Sequence, residues 1–197
     1  MGLFLEAAQA WENLHDVRYV LFVARKGEVK RIELTFLDED FPHLAGMQYA
    51  KDVDFGVRPA EYYGNRLIPM LLHKRMDDGK IEKSKNWNRI EGRLTAIIHL
   101  QNTLDDDFVI VAFNNNKVKG YSQIVAEYAI KSMVSDDVYF VFLDQQSGRY
   151  YCKSAFRKEA TDYTENQTRM TLLQKIKITQ DREDILYKKD GYEPKGE

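Results

Sequence analysis

Leu104-Asp105-Asp106-Asp107-Phe108-Val109-Ile110-Val111-Ala112-Phe113 is where the chain changes character. Three carboxylates end an amphipathic stretch, and a run of β-branched and aromatic residues follows at once. Before this point the long periodic segments have helical spacing. From Trp87 to Leu104, Ile90, Leu94, Ile97 and Ile98 stand at i, i+4, i+7 and i+8, which predicts one helix. After it, Phe108–Phe113, Ser122–Ile130, Val138–Leu143, Tyr150–Phe156 and Thr171–Ile178 have strand composition. Asn114-Asn115-Asn116 and Gln145-Gln146-Ser147-Gly148 between them suit turns.

The first hundred residues add one hairpin and three further helical stretches. Residues 3–15 carry Phe4, Ala8 and Trp11 at helical spacing. Val17–Ala24 is a near-continuous apolar run, Lys26-Gly27 a turn, and Arg31–Phe36 an alternating strand, so residues 17–36 form a hairpin. A helix opens near Phe41, with Pro42 in its first turn, where a missing N–H costs nothing. Residues 59–76 carry Tyr63, Leu67, Met70 and Leu71 on one stripe, which Pro69 should kink or restart. Residues 77–86 read as a polar connector, and residues 181–197 as a charged, frayed tail. No repeat or linker divides the chain. It reads as one α+β domain over residues 1–180, with helices packed on a curved, mostly antiparallel sheet.

Charge and composition narrow the function. Lys and Arg total 29 against 31 Asp and Glu, a formal net charge of −2. Bulk attraction to nucleic acid is therefore absent, and any RNA contact must come from a local basic patch. Cys152 is the sole cysteine, which excludes an internal disulfide and fits a reducing, cytoplasmic setting. The acidic start of the chain does not resemble a signal peptide, and no apolar run approaches membrane-spanning length. His15, His43, His73 and His99 are dispersed, without metal-ligand spacing, and no phosphate-binding glycine loop occurs. Neither metal nor cofactor is expected. Cys152 lies within an apolar strand and reads as an inert thiol.

Two segments carry candidate chemistry. Phe41-Pro42-His43-Leu44-Ala45-Gly46-Met47 places a histidine between a strand and a helix, either as a cap or as an acid–base group facing a groove. Tyr150–Lys158 is the second. Alternation puts Tyr151, Lys153 and Ala155 on one face, and Tyr150, Cys152, Ser154 and Phe156 on the other. Lys153, Arg157 and Lys158 suit a phosphate or a solvated strand end. Tyr163 and Gln167 could stack on, or hydrogen-bond to, a base. Metal-free RNA cleavage needs a base for the 2′-hydroxyl, an acid for the leaving 5′-oxygen and cations for the phosphate. His43, Lys153 and Ser154 are the catalytic candidates, with Arg157, Tyr163 and Gln167 as substrate-binding candidates. A second basic cluster, Arg25, Lys26, Lys30 and Arg31, fits edge protection equally well.

Phe41–Met47 is similar to the F-x-HL-x-GL signature of phage-associated nucleases of the barnase–EndoU–colicin–RelE-like fold. Met47 stands where that family usually has Leu. Tyr62 to Lys83, Tyr150 to Phe156, and Tyr163-Thr164 to Lys175 follow the family pattern in order, so the resemblance spans roughly residues 1–178. It implies helices on a curved antiparallel sheet and metal-independent RNA cleavage, in a toxin-like, phage-defence or mobile-element role. His43 and the Lys153-Ser154 strand map to its most characteristic positions. RNA is the implied partner, and a cognate inhibitor protein is left open. Two other classes remain: a catalytically silent binding module using the same groove, and a structural protein pairing through aromatic edge strands. Convergence of His43 and Lys153 in one cationic cleft would separate these readings.

Overall fold

The computed structural model describes residues 2–58, 64–120 and 122–194. It is an α+β fold: helices from the first half pack on a curled, mostly antiparallel sheet of nine strands. The helices are α1 (Leu3–Glu12), α2 (Phe41–Leu44), α3 (Leu67–Leu72), α4 (Trp87–Ile98) and α5 (Leu100–Asp105). The strands are β1 (Arg18–Arg25), β2 (Glu28–Leu34), β3 (Phe108–Ala112), β4 (Tyr128–Val134), β5 (Asp137–Gln146), β6 (Arg149–Arg157), β7 (Thr168–Arg169), β8 (Thr171–Ile178) and β9 (Glu183–Lys188). Their order is β7-β3-β4-β5-β6-β2-β1-β8-β9.

The expected hairpin is β1–β2, closed between Arg25 and Glu28. Lys26 and Gly27 both take positive φ, 49° and 84°, the twist that a two-residue hairpin turn requires. The curl follows from the connection between β7 and β8. Only Met170 separates them, and its N–H donates to the Ile110 carbonyl. One continuous run of chain thus pairs first with β3 and then with β1, so the two ends of the sheet are drawn round to the same strand.

Several expectations shift for identifiable reasons. The single helix over 87–104 breaks at His99, whose ring tilts against Tyr139 at 5.3 Å, giving α4 and α5. Of the helix expected over 59–76, residues 59–63 lie outside the described residues, and Leu67–Leu72 is helical. Pro69 is its third residue, where no intrahelical acceptor exists, so it causes no kink. Tyr62 and Tyr63 lie outside the described residues. The polar connector contains a 3-10 helix, Asp78–Lys83, whose Gly79 N–H is accepted by the Asp77 side chain. Ser122–Ile130 is a strand only from Tyr128. Asn115 Nδ2 donates to the Ser122 carbonyl and holds the preceding loop across the second sheet face, where Ile124 and Ala126 pack. The segment read as a frayed tail forms β9, because β8 offers it a free edge.

The main core joins α1, α3 and α4 to one sheet face, with Trp11 fully buried between Phe36 and Phe41. A smaller core on the other face gathers Phe113, Phe140 and Phe142. Lys175 of β8 clamps the two halves. Its buried ammonium donates to the carbonyls of Leu104, Asp105 and Asp106 at 2.9, 2.8 and 2.6 Å, satisfying the orphan acceptors at the end of α5. Burial pushes this amine down to about 8, so it remains charged at neutral pH. Lys175→Met should therefore remove about 2–4 kcal/mol of stability, read as a lower urea midpoint. An unchanged midpoint would contradict the clamp.

Candidate active site

The site occupies a split in the sheet. β2 pairs with β6 only at Leu34–Tyr150, followed by one hydrogen bond from Thr35 N–H to the Tyr150 carbonyl. Beyond that contact α2 and α4, rather than a strand, pack against β6. The opening exists because β2 meets β6 in parallel and then ends.

Local rules explain the spacing in Phe41–Met47. Phe41, Pro42 and Leu44 are buried, which leaves His43 on the outer side of a single helical turn. Gly46 has φ +84°, a left-handed conformation that ends the turn. A Cβ at Gly46 would lie 3.1 Å from Arg93 Cδ, so the glycine also makes room for the arginine stem. Leu44 anchors the turn, His43 faces out, and Gly46 admits Arg93.

Arg93 is the centre of the cluster. It lies on α4 one turn beyond Arg89, beside the buried stripe of Ile90, Leu94 and Ile97. Its guanidinium sits 5.3 Å from the Tyr49 ring centre and 5.8 Å from that of Phe156, and Nη1 donates to Ser154 Oγ at 3.2 Å. Arg89 rests on Tyr49 at 4.2 Å. Arg93 makes no ion pair with a carboxylate among the described residues. Burial lowers its pKa, the expected effect of desolvating an uncompensated cation.

His43 lies within electrostatic reach of two cations. Burial of part of the ring lowers its pKa first, and the charges of Arg93 and Lys153 lower it further. The imidazole is therefore neutral at pH 7 and able to accept a proton. Its ring nitrogens have no hydrogen-bond partner among the described residues.

A β-bulge presents Lys153. Phe142 pairs with Ser154 and Leu143 with Cys152, so Lys153 has no residue opposite. The simple alternation along this strand is corrected accordingly. Tyr150, Cys152 and Ala155 all enter the main core, while Phe156 packs on the second face. Lys153 forms an ion pair with Asp144. Ser154 is buried and accepts from Arg93. Cys152 is buried, and burial pushes its thiol well above the usual range, so it is inert.

Next to this cluster is a pocket of about 270 Å³, lined by Tyr49, Arg89, Arg93, Phe156, Arg157 and Tyr163, with Glu159 at its side. Arg157 lies four residues beyond Lys153, roughly 13 Å along a strand. Its pair with Asp137 is long, 3.6 Å, and half-exposed. Tyr163 packs edge-on against Phe140, Phe142 and Phe156 at 5.3–5.4 Å, and burial raises its hydroxyl pKa.

His43, Lys153 and Ser154 are thus brought together around Arg93, while Arg157 and Tyr163 line the adjoining pocket. Gln167 is elsewhere. Its amide is used on the backbone of Asn114, accepting at 2.8 Å and donating at 3.0 Å. Lys158 turns to Asp162, at 3.7 Å. Of the second basic cluster, Lys30 lies between Tyr128 and Tyr150, paired with Glu127 at 2.9 Å. Sequence reasoning missed Arg89, Arg93 and Tyr49. The signal was available: two arginines four residues apart flank an apolar helical stripe. No group of three metal-ligating side chains occurs among the described residues.

The fold and the groove define an α+β protein in which a desolvated arginine, without a carboxylate partner among the described residues, lies beside a neutral imidazole. The chain belongs to the family described as phage-Barnase-EndoU-ColicinE5/D-RelE like nuclease4, whose family model matches residues 3–191. No curated protein and no solved structure matches it. No helix among the described residues is long and apolar enough to cross a membrane.

Two outcomes check this geometry. Gly46→Ala should cost about 1–2 kcal/mol for a left-handed alanine and displace the Arg93 stem, read by urea melting and the Arg93 Nε–H resonance; unchanged values for both would contradict the packing. In an NMR titration, His43 should have a pKa below the ordinary value of about 6.5, and Lys153→Met should move it upward. A pKa insensitive to Lys153 would contradict the cluster.

Proposed function

We propose that the protein is a metal-independent endoribonuclease. The observation that carries this reading is Arg93, a cation desolvated in a groove without a carboxylate partner among the described residues, next to His43. A phosphodiester supplies the missing anion. Arg93 and Lys153 hold its non-bridging oxygens and stabilise the charge that grows on them. Neutral His43 takes the 2′-hydroxyl proton as the 2′-oxygen bonds to phosphorus. The bond from phosphorus to the 5′-oxygen breaks, and Lys153 protonates that oxygen. The products are a 2′,3′-cyclic phosphate and a 5′-hydroxyl end. Ser154 acts on Arg93 and is a positioning residue. The family supports a nucleic-acid substrate; a toxin-like or phage-defence role in the cytoplasm, with a cognate inhibitor, fits the same reading.

One observation favours the second reading, a silent binding module: the Lys153 ammonium is already engaged by Asp144. One experiment separates the two. Purified protein incubated with total RNA in EDTA should cut it, and His43→Ala should lower the rate by about 10²–10⁴ with the fold retained. Full activity in His43→Ala would reject this mechanism. RNA bound but uncut by the wild type would favour the silent module. The bound state should weaken with salt, and less steeply in Lys153→Ala.

A further inference from the structure

Two arginines serve the segment around α2, and they are treated in opposite ways. Arg93 has no carboxylate partner among the described residues, whereas Arg149, the first residue of β6, has two. Its Nη1 donates to Asp40 Oδ2 at 2.7 Å and its Nη2 to Asp40 Oδ1 at 3.2 Å. Glu39, the more exposed of the two acids, lies 3.6 Å from Nη2. Asp40 immediately precedes α2, and its side chain is only 9% exposed. The Arg149 guanidinium also lies 5.3 Å from the Tyr151 ring centre, and hydrogen bonding to Asp40 raises its pKa. The result is a planar two-point fork between residues 109 positions apart.

Stability alone does not account for such a pair. Taking both charges out of water costs much of what their attraction returns, and apolar side chains of the same size would hold the two elements together as well. What the fork adds is direction. α2 is a single turn of four residues, too short to hold its shape in isolation. His43 follows Asp40 by three residues, and Lys153 and Ser154 follow Arg149 by four and five along β6. Holding the carboxylate in the plane of the guanidinium therefore fixes how far α2 turns about its axis. That in turn fixes where the imidazole lies against the cations of α4 and β6. The far end of the segment is set by Gly46 against the Arg93 stem. With no hydrogen bond to the imidazole itself among the described residues, its place depends on these two anchors.

We propose that Asp40 and Arg149 are positioning residues, whose fork seats His43 beside Arg93 and Lys153. Its bearing on cleavage rests on the nuclease reading, and the first test needs no RNA. Asp40→Asn and Arg149→Lys each keep a single contact but break the fork. An imidazole that leaves its seat loses the burial and the two cations that depress it, so its pKa should rise toward about 6.5 in an NMR titration. The direction separates movement from charge, because removing the Asp40 carboxylate without movement would lower the His43 pKa. Asp40→Leu combined with Arg149→Met removes both charges at similar volume, keeps the fold and should give the same rise. Combining Asp40→Asn with Arg149→Lys should add nothing to either alone, since both break one fork. In RNA cleavage, kcat should fall by about 10- to 100-fold for a displaced base. KM should hardly move, because the cations that hold the phosphate lie on α4 and β6. The acidic limb of the pH–rate profile should follow the imidazole upward. Folded variants whose His43 pKa stays at the wild-type value overturn the proposal. A raised pKa in variants of a protein that never cuts RNA supports the positioning role and rejects the nuclease reading. Wild-type cleavage that these variants leave at full kcat does the reverse.

Discussion

An arginine taken partly out of water without a carboxylate partner is expensive, and this one is held by everything around it. Gly46 gives its stem room, Tyr49 and Phe156 lie beside its guanidinium, and Ser154 accepts one of its N–H groups. None of these contacts neutralises the charge. Burial lowers the pKa of His43 first, and the same charge, with that of Lys153, lowers it further. Spacing in Phe41–Met47, the bulge at Lys153 and the orientation of α4 all make sense as ways of positioning that one cation.

The sheet makes the place available. Because β6 loses its strand neighbour after Tyr150, helices α2 and α4 meet its exposed half, bringing together residues more than a hundred positions apart in sequence. The bulge then turns Ser154 away from the main core and toward Arg93, while Cys152 and Ala155 stay in that core. Far from the groove, Lys175 ties α5 to β8, so the helical half and the strand half cannot separate without exposing three carbonyls.

Much of this was legible in the sequence because local rules dictated it. The hairpin at 17–36, the stripe on α4 and the apolar runs after Asp107 specify the α+β arrangement directly. His43 and the Lys153-Ser154 pair stood out through their setting. What could not be read was anything that depends on a partner distant in sequence. The tail becomes β9 only because β8 offers an edge, the break at His99 depends on packing against Tyr139, and the bulge at Lys153 is a matter of register with β5. Gln167 looked available for a base, but Asn114, some fifty residues away, takes its amide. Arg93 was hidden in plain view as a solvated helix arginine. Its meaning comes from Gly46, Ser154 and Tyr49.

In the proposed function His43, Arg93 and Lys153 together bind a phosphate. The most direct measurement is the pKa of His43, followed by NMR at low ionic strength with and without saturating inorganic phosphate. An anion seated against the two cations offsets the charge that depresses the imidazole, so the pKa should rise when phosphate is present. A His43 pKa that phosphate leaves unmoved, while the protein remains folded, would contradict the account.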